Sequence, residues 1–138
     1  MPTLHTTNYQ STFLSVADDC PVTAGQVPPL NPAKPSIAAL QFAMLIDHPY
    51  ELTSDDVLFG VHAIRHNIST DDMADARDDF FGVGRACFRS SPLTKRYGWG
   101  IHYDAEGKMA LVALGSDTYE LFAHDPGLKQ LRAMRSKR

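Results

Sequence analysis

The stretch GWGIHYDAEGKMALVAL, residues 98–114, restricts the fold more than any other part of the chain. Alternation over 98–104 and an apolar run over 108–114 predict two strands. AEG between them supplies the turn, with Gly107 free to take positive φ. In the first strand Trp99, Ile101 and Tyr103 share one face, while Gly98, Gly100, His102 and Asp104 share the other. The second strand is apolar on both faces, with Met109, Leu111 and Ala113 on one and Ala110, Val112 and Leu114 on the other. Such a strand is expected in a central position, covered on both sides. The Gly98/Gly100 face has no bulk, so something must approach it closely. A ligand, a helix or a proline-rich arm would each satisfy that requirement.

The arm is DDCPVTAGQVPPLNPAKP, residues 18–35, which holds Pro21, Pro28, Pro29, Pro32 and Pro35. Proline at this density predicts an extended loop, and its reduced unfolded-state entropy favours an ordered one. A short strand is predicted before it, over residues 11–17. Ser36 predicts a helix over about 37–47 with Ile37, Leu40, Met44 and Leu45 inward. TSDD opens a second helix with Val57, Val61 and Ile64 buried. ISTDD opens a third over about 71–88, whose seam is Met73, Ala76, Phe80, Val83 and Cys87. Gly82 and Gly84 weaken that helix by about 1 kcal/mol each, and either permit close packing or mark a break. Ser91-Pro92 predicts a short turn over 92–96, and Ser116 a fourth helix over about 117–124. The segment 128–135 has helical spacing and also suits a final strand. The sum is a single α+β domain, residues 1–138: central helices packed on a small antiparallel sheet, with a C-terminal hairpin–helix–strand (or helix) unit.

A chain of 138 residues with 43% hydrophobic and 21% charged residues suits a soluble globular domain and not a disordered one. No apolar run approaches the roughly 20 residues that cross a bilayer. MPTLHTTNYQ has neither the basic start nor the apolar core of a secretory signal, so a cytoplasmic protein with no membrane contact is expected. Cys20 and Cys87 are then reduced thiols. Charge is unevenly divided. Residues 1–84 hold eleven acidic and three basic residues, a net of −8, and residues 85–138 hold ten basic and five acidic, a net of +5. Such polarity either orients a partner or is neutralised across the fold.

TTNYQSTFLSVADDCPVTAG, TSDDVLF, SPLTKRYGWGIHYDAEGKMAL and LKQLRAMRSKR together resemble a family of small bacterial and fungal proteins known only as a domain of unknown function. The resemblance covers nearly the whole chain. It implies one stand-alone domain and carries over no reaction and no catalytic residue. The hairpin–helix–strand end also looks distantly like double-wing domains, some of them associated with DNA binding.

The residues suit four chemistries to different degrees. Lys95, Arg96, Tyr97, Trp99 and His102 form a candidate rim for an anionic or aromatic group, since Arg and Lys pair with carboxylate or phosphate and Trp stacks. The alternative is that protein packs on the glycine face and Trp99 is core. Arg85, Arg89, Lys95 and Arg96, with Lys129, Arg132, Arg135, Lys137 and Arg138, suggest nucleic-acid binding, weakened by a pI near 6.0. His62 and His66, four apart, with Asp71, Asp75 and Asp78 or Asp79 nearby, are a weak metal pattern against a solvated helix face. Cys87 reads as a small hydrophobe, and Cys20 follows Asp18 and Asp19, which disfavour a reactive thiolate. No nucleophile elbow, phosphate loop or dinucleotide fingerprint is present. The expectation is a non-catalytic cytosolic module, without cofactor or metal, binding a small anionic ligand or a protein partner at the Lys95–His102 rim. The alternatives are a small enzyme using His102 with Asp104 or a metal, a weak nucleic-acid binder, and a homodimer joined through the sheet edge or the third helix.

Overall fold

Helix starts follow the capping residues. The computed structural model describes residues 4–136. Ser36 Oγ accepts from Ala39 N–H and opens α1, Ile37–Leu45. Thr53 and Asp56 form a reciprocal capping box on α2, Ser54–Arg65, a cap of a kind worth about 1 kcal/mol. Ser91 caps α4, Pro92–Lys95, and Ser116 caps α5, Asp117–Ala123, so both are as the sequence predicts. The third helix is shorter than expected. α3 runs Met73–Phe81 after a 3-10 turn at Thr70–Asp72, and Gly82 ends it. The two glycines therefore mark a break, and Val83 and Cys87 lie outside the helix. Two other expected core positions are exposed, Ile37 at 39% and Ile64 at 52%. On α1 Ala38, Ala39, Gln41 and Leu45 are buried and Leu40 and Met44 pack half-buried on the same core, so of the predicted stripe only Ile37 turns outward.

The sheet has β1 (Thr12–Ser15), β2 (Trp99–Tyr103), β3 (Met109–Ala113) and β4 (Lys129–Arg132), in the order β3-β2-β1-β4. The tail is thus a strand and not a helix. β2 pairs antiparallel with β1 and β3, but β4 pairs parallel with β1. The expectation of an antiparallel sheet is corrected to a mixed one. The cause is connectivity: β3 passes through α5 before β4, and a strand–helix–strand crossover brings its strands back parallel.

The apolar strand β3 lies at an edge, not at the centre. Its lateral cover comes from irregular chain. Tyr50 N–H donates to Met109 O (2.8 Å), Met109 N–H to Leu52 O (2.9 Å), and Gly25 N–H to Leu114 O (3.3 Å). An edge strand blunted in this way offers little template for another chain. Its two faces are covered as expected. On one, Leu14, Ile101, Tyr103 and Met109 pack with Leu45, Val57, Val61 and Phe88. On the other, Phe13 and Val112 pack with Val16 and Tyr119 of α5. Phe59, Ala63, Phe80 and Phe81 make a third cluster between α2 and α3.

The N-terminal strap is pinned to the start of α2. Asp55 accepts from Thr6 Oγ1, Thr7 N–H and Thr7 Oγ1, each at 2.7 Å, and Asp55 N–H donates to Asn8 Oδ1 (2.9 Å). A carboxylate at a helix N-terminus that accepts three hydrogen bonds is a satisfied buried charge. The TTNY and TSDD stretches are therefore two halves of one joint.

Candidate functional site

Protein fills the bare glycine face. Gly98 has φ +78°, and a Cβ there would lie 2.6 Å from Ala24 O of the proline arm. A Cβ on Gly100 would lie 2.8 Å from Tyr119 Cε2 and 2.9 Å from Phe13 Cζ. Trp99 fastens the same arm from the opposite face of β2. Its Nε1–H donates to Gln26 O (2.8 Å), its ring packs on Phe42 (centroids 5.4 Å apart), and Gly25 lies against its six-membered ring.

The five residues of the expected rim do not converge. Lys95 ends α4 half-buried, Arg96 follows it exposed, and the carbonyl of half-buried Tyr97 accepts from Gln26 N–H (2.8 Å). Trp99 faces α1, whereas His102 faces α5, where its ring stacks on Phe122 at 4.1 Å and 8°. His102 Nδ1 meets Tyr50 Oη at 2.7 Å. Tyr50 has φ +60°, a left-handed conformation that costs a bulky residue roughly 1 kcal/mol or more. Burial holds His102 below the ordinary imidazole range, against the opposing pull of Asp104 and Asp125. Asp104 Oδ1 accepts from Glu106 N–H and Lys108 N–H, so that carboxylate shapes the hairpin turn. The Tyr50–His102 contact ties the α1–α2 loop to the sheet.

A different group of cations does converge. A cleft of about 220 Å³ opens between α1, α2 and the end of α3. Its apolar lining is Ile37, Leu58, Val61, Phe80 and Ala86, and its polar lining is Gln41, His62, Arg65, His66 and Arg85. None of the described residues lining it is acidic. His62 and His66 are one turn apart, with ring centroids at 4.4 Å. The break after α3 brings Arg85 back over that helix. Its Nε–H donates to Phe80 O (2.7 Å), and its guanidinium carbon sits 4.1 Å from the Phe80 ring centroid. That contact fixes the side chain and leaves its terminal N–H groups as donors. Gln41 Oε1 accepts from Ser91 Oγ (2.6 Å), which leaves the amide N–H groups at the cleft floor. Burial, then the neighbouring His66 and Arg85, holds His62 below its usual range, so near neutral pH it is uncharged.

In the sequence, His62 and His66 with the aspartates of the third helix are only a weak metal pattern. Among the described residues no three histidine, cysteine or carboxylate groups come together in a way that would hold a metal ion. Asp71, Asp75, Asp78 and Asp79 are exposed. The imidazoles face Arg85 instead. Of the cations weighed for nucleic acid, Arg89 Nε–H donates to Arg132 O (2.8 Å), and Arg132 is ion-paired with Asp18. Lys137 and Arg138 lie outside the described residues. The sequence reading missed the cleft because it placed Arg85 on a continuing helix. The GVG spacing before Arg85 was the available sign that the chain turns there.

A family model matches residues 4–138. The chain belongs to DUF6157, a family of unknown function. No curated protein and no solved structure matches it. Among the described residues no helix of this DUF6157 member is long and apolar enough to cross a membrane.

Proposed function

We propose that this DUF6157 protein is a non-catalytic cytosolic module that binds a small organic anion, with the ligand in the α1–α2–α3 cleft and not at the Lys95–His102 rim. The observation that carries the reading is the convergence of Arg65, Arg85, His62 and His66 on an apolar cleft whose described lining holds no carboxylate. Arg65 and Arg85, beside two imidazoles and with no carboxylate in the described lining, give the site positive potential. Arg85, held over the Phe80 ring, is pre-organised to meet a planar carboxylate or a phosphate. The size suits a compact ligand. A cavity of about 150 Å³ accepts benzene, so about 220 Å³ suits a monocyclic aromatic or short branched acid. Phe80, Leu58 and Val61 take the apolar body, and the Gln41 amide and the cations take the charged end.

The test is a thermal-shift and NMR titration with benzoate, phenyl phosphate and inorganic phosphate, with benzylamine as the cationic control. Benzoate or phenyl phosphate should raise the melting temperature and move the His62 and His66 ring resonances. If benzylamine does as well as the anions, or shifts appear only around Trp99, the cleft assignment is wrong. Among the described residues, neither His102 nor the basic residues of the C-terminal strand offer a comparable cluster. His102 is held by Tyr50 and Phe122, and Arg132 is paired with Asp18.

A further inference from the structure

Cys87 and two tyrosines form a small polar cluster whose members are not among the residues lining the cleft. Cys87 was expected on the apolar seam of a long helix. It lies instead in the loop after α3, half-buried, at the start of the 3-10 turn Phe88–Ser90. Its Sγ is 3.3 Å from Tyr9 Oη. The Tyr9 ring meets Tyr103 edge-on, with centroids 5.5 Å apart. Tyr103 is 0% exposed, and its hydroxyl is, among the described residues, a buried polar atom with no hydrogen-bond partner. The edge-on ring contact joins Tyr103 to Tyr9, whose hydroxyl touches Cys87, and burial, then Cys87 and Tyr9, pushes the Tyr103 hydroxyl far above the ordinary tyrosine range. An unmatched hydroxyl in a core costs about 1–3 kcal/mol and calls for an explanation.

We propose that Cys87 is a site of reversible oxidation by hydrogen peroxide or a small hydroperoxide, and that Tyr103 and Tyr9 hold the resulting sulfenic acid. In the step, the Cys87 thiolate attacks one peroxide oxygen. The S–O bond forms as the O–O bond breaks, sulfur is oxidised by two electrons, and the leaving hydroxide takes up from solvent the proton that the thiol released on ionising, to become water. The new oxygen supplies the acceptor that Tyr103 Oη–H lacks. Before the reaction Tyr9 Oη–H is the donor to the thiolate, which can only accept. Arg89, whose charge acts on Tyr9, adds positive potential beside the pair. Retention of the sulfenic acid by two hydroxyl groups slows its second oxidation to the sulfinic acid, which is not readily reversed. Cys20 is the internal control. It is also half-buried, but it follows Asp18 and Asp19.

The experiment treats the full chain with hydrogen peroxide in the presence of dimedone and locates adducts by peptide mass spectrometry. Cys87 should be labelled about tenfold faster than Cys20. Tyr103→Phe should keep its melting temperature and shorten the sulfenic acid lifetime several-fold, with sulfinic acid taking its place. Tyr9→Phe, at a half-exposed position, should slow the first oxidation. Equal labelling of the two cysteines overturns the proposal. So does a folded Tyr103→Phe protein with an unchanged lifetime, the result expected if the hydroxyl holds only a buried water. Should Tyr103→Phe fail to fold, an unchanged oxidation rate in Tyr9→Phe decides against it.

Discussion

The Trp99 region and the Arg85 cleft hold the chain's two most suggestive sets of residues, and the fold treats them in opposite ways. Around Trp99 each distinctive group is committed to protein: the indole N–H to Gln26, the two glycines to Ala24 and Tyr119, the Tyr97 carbonyl to the arm. Around Arg85 one donor of the guanidinium is used, and the rest of the group faces a cleft it shares with two histidines and a second arginine. Unusual composition marks a joint in the first case and a candidate surface for a ligand in the second. What separates them is whether hydrogen-bonding capacity is already matched.

The sharpest way to break the comparison is Gly98→Ala. At φ +78° a methyl group would meet Ala24 O at 2.6 Å, and the arm would have to lift. The variant should lose about 3 kcal/mol of stability by chemical denaturation, the sum of strained φ and a backbone clash. An effect below about 1 kcal/mol would mean that the arm is not seated on β2 as described. Trp99→Ala comes next. It should cost about 2–3 kcal/mol through lost packing on Phe42 and Gly25 and the lost bond to Gln26. It should leave anion binding in the cleft unchanged. A variant that kept its stability and lost ligand binding would return the site to the rim.

Arg85→Ala tests the other half of the comparison and should behave in reverse. Its cation–π contact is exposed, so stability should change by about 0.5–1 kcal/mol. Affinity for benzoate or phenyl phosphate should fall about tenfold or more, equivalent to about 1.4 kcal/mol or above. Calorimetric titration of Arg85→Ala beside Trp99→Ala gives the double dissociation. Equal affinity in Arg85→Ala and wild type would remove the cleft from consideration.

Elements with a capping residue and a clear period were legible in the sequence. Ser36, Thr53, Ser91 and Ser116 each cap the helix expected of them, and Gly107 turns the hairpin at φ +82°. Relations set by distant chain were not. Nothing local in KMALVAL separates a central strand from an edge strand roofed by Tyr50–Leu52, because both need two apolar faces. The parallel pairing of β4 depends on where α5 carries the chain. The rim failed for a simple geometric reason: Trp99 and His102 are three apart on a strand, an odd spacing, so they face opposite ways. The cleft was hidden because His62 and Arg65 lie on α2, His66 caps its C-terminal end and Arg85 comes from beyond a helix break.

The smallest effect concerns pH, and its sign separates binding from folding. His62 and His102 are both held below their ordinary range, chiefly by burial. A group with a depressed folded pKa binds its proton more readily in the unfolded chain. Its contribution to stability is therefore present above the unfolded value of about 6.5 and is lost as pH falls below it. Thermal midpoints of the free protein should decline modestly on acidification from pH 7 to pH 5, and His62→Gln should reduce the decline. Anion binding runs the other way, because an anion stabilises protonated His62. Affinity should rise over the same interval until the ligand itself becomes protonated. Phenyl phosphate, which keeps a charge at pH 5, is the ligand to use. Parallel decline of stability and affinity would mean that the histidines support the fold alone and that Arg85 acts without them.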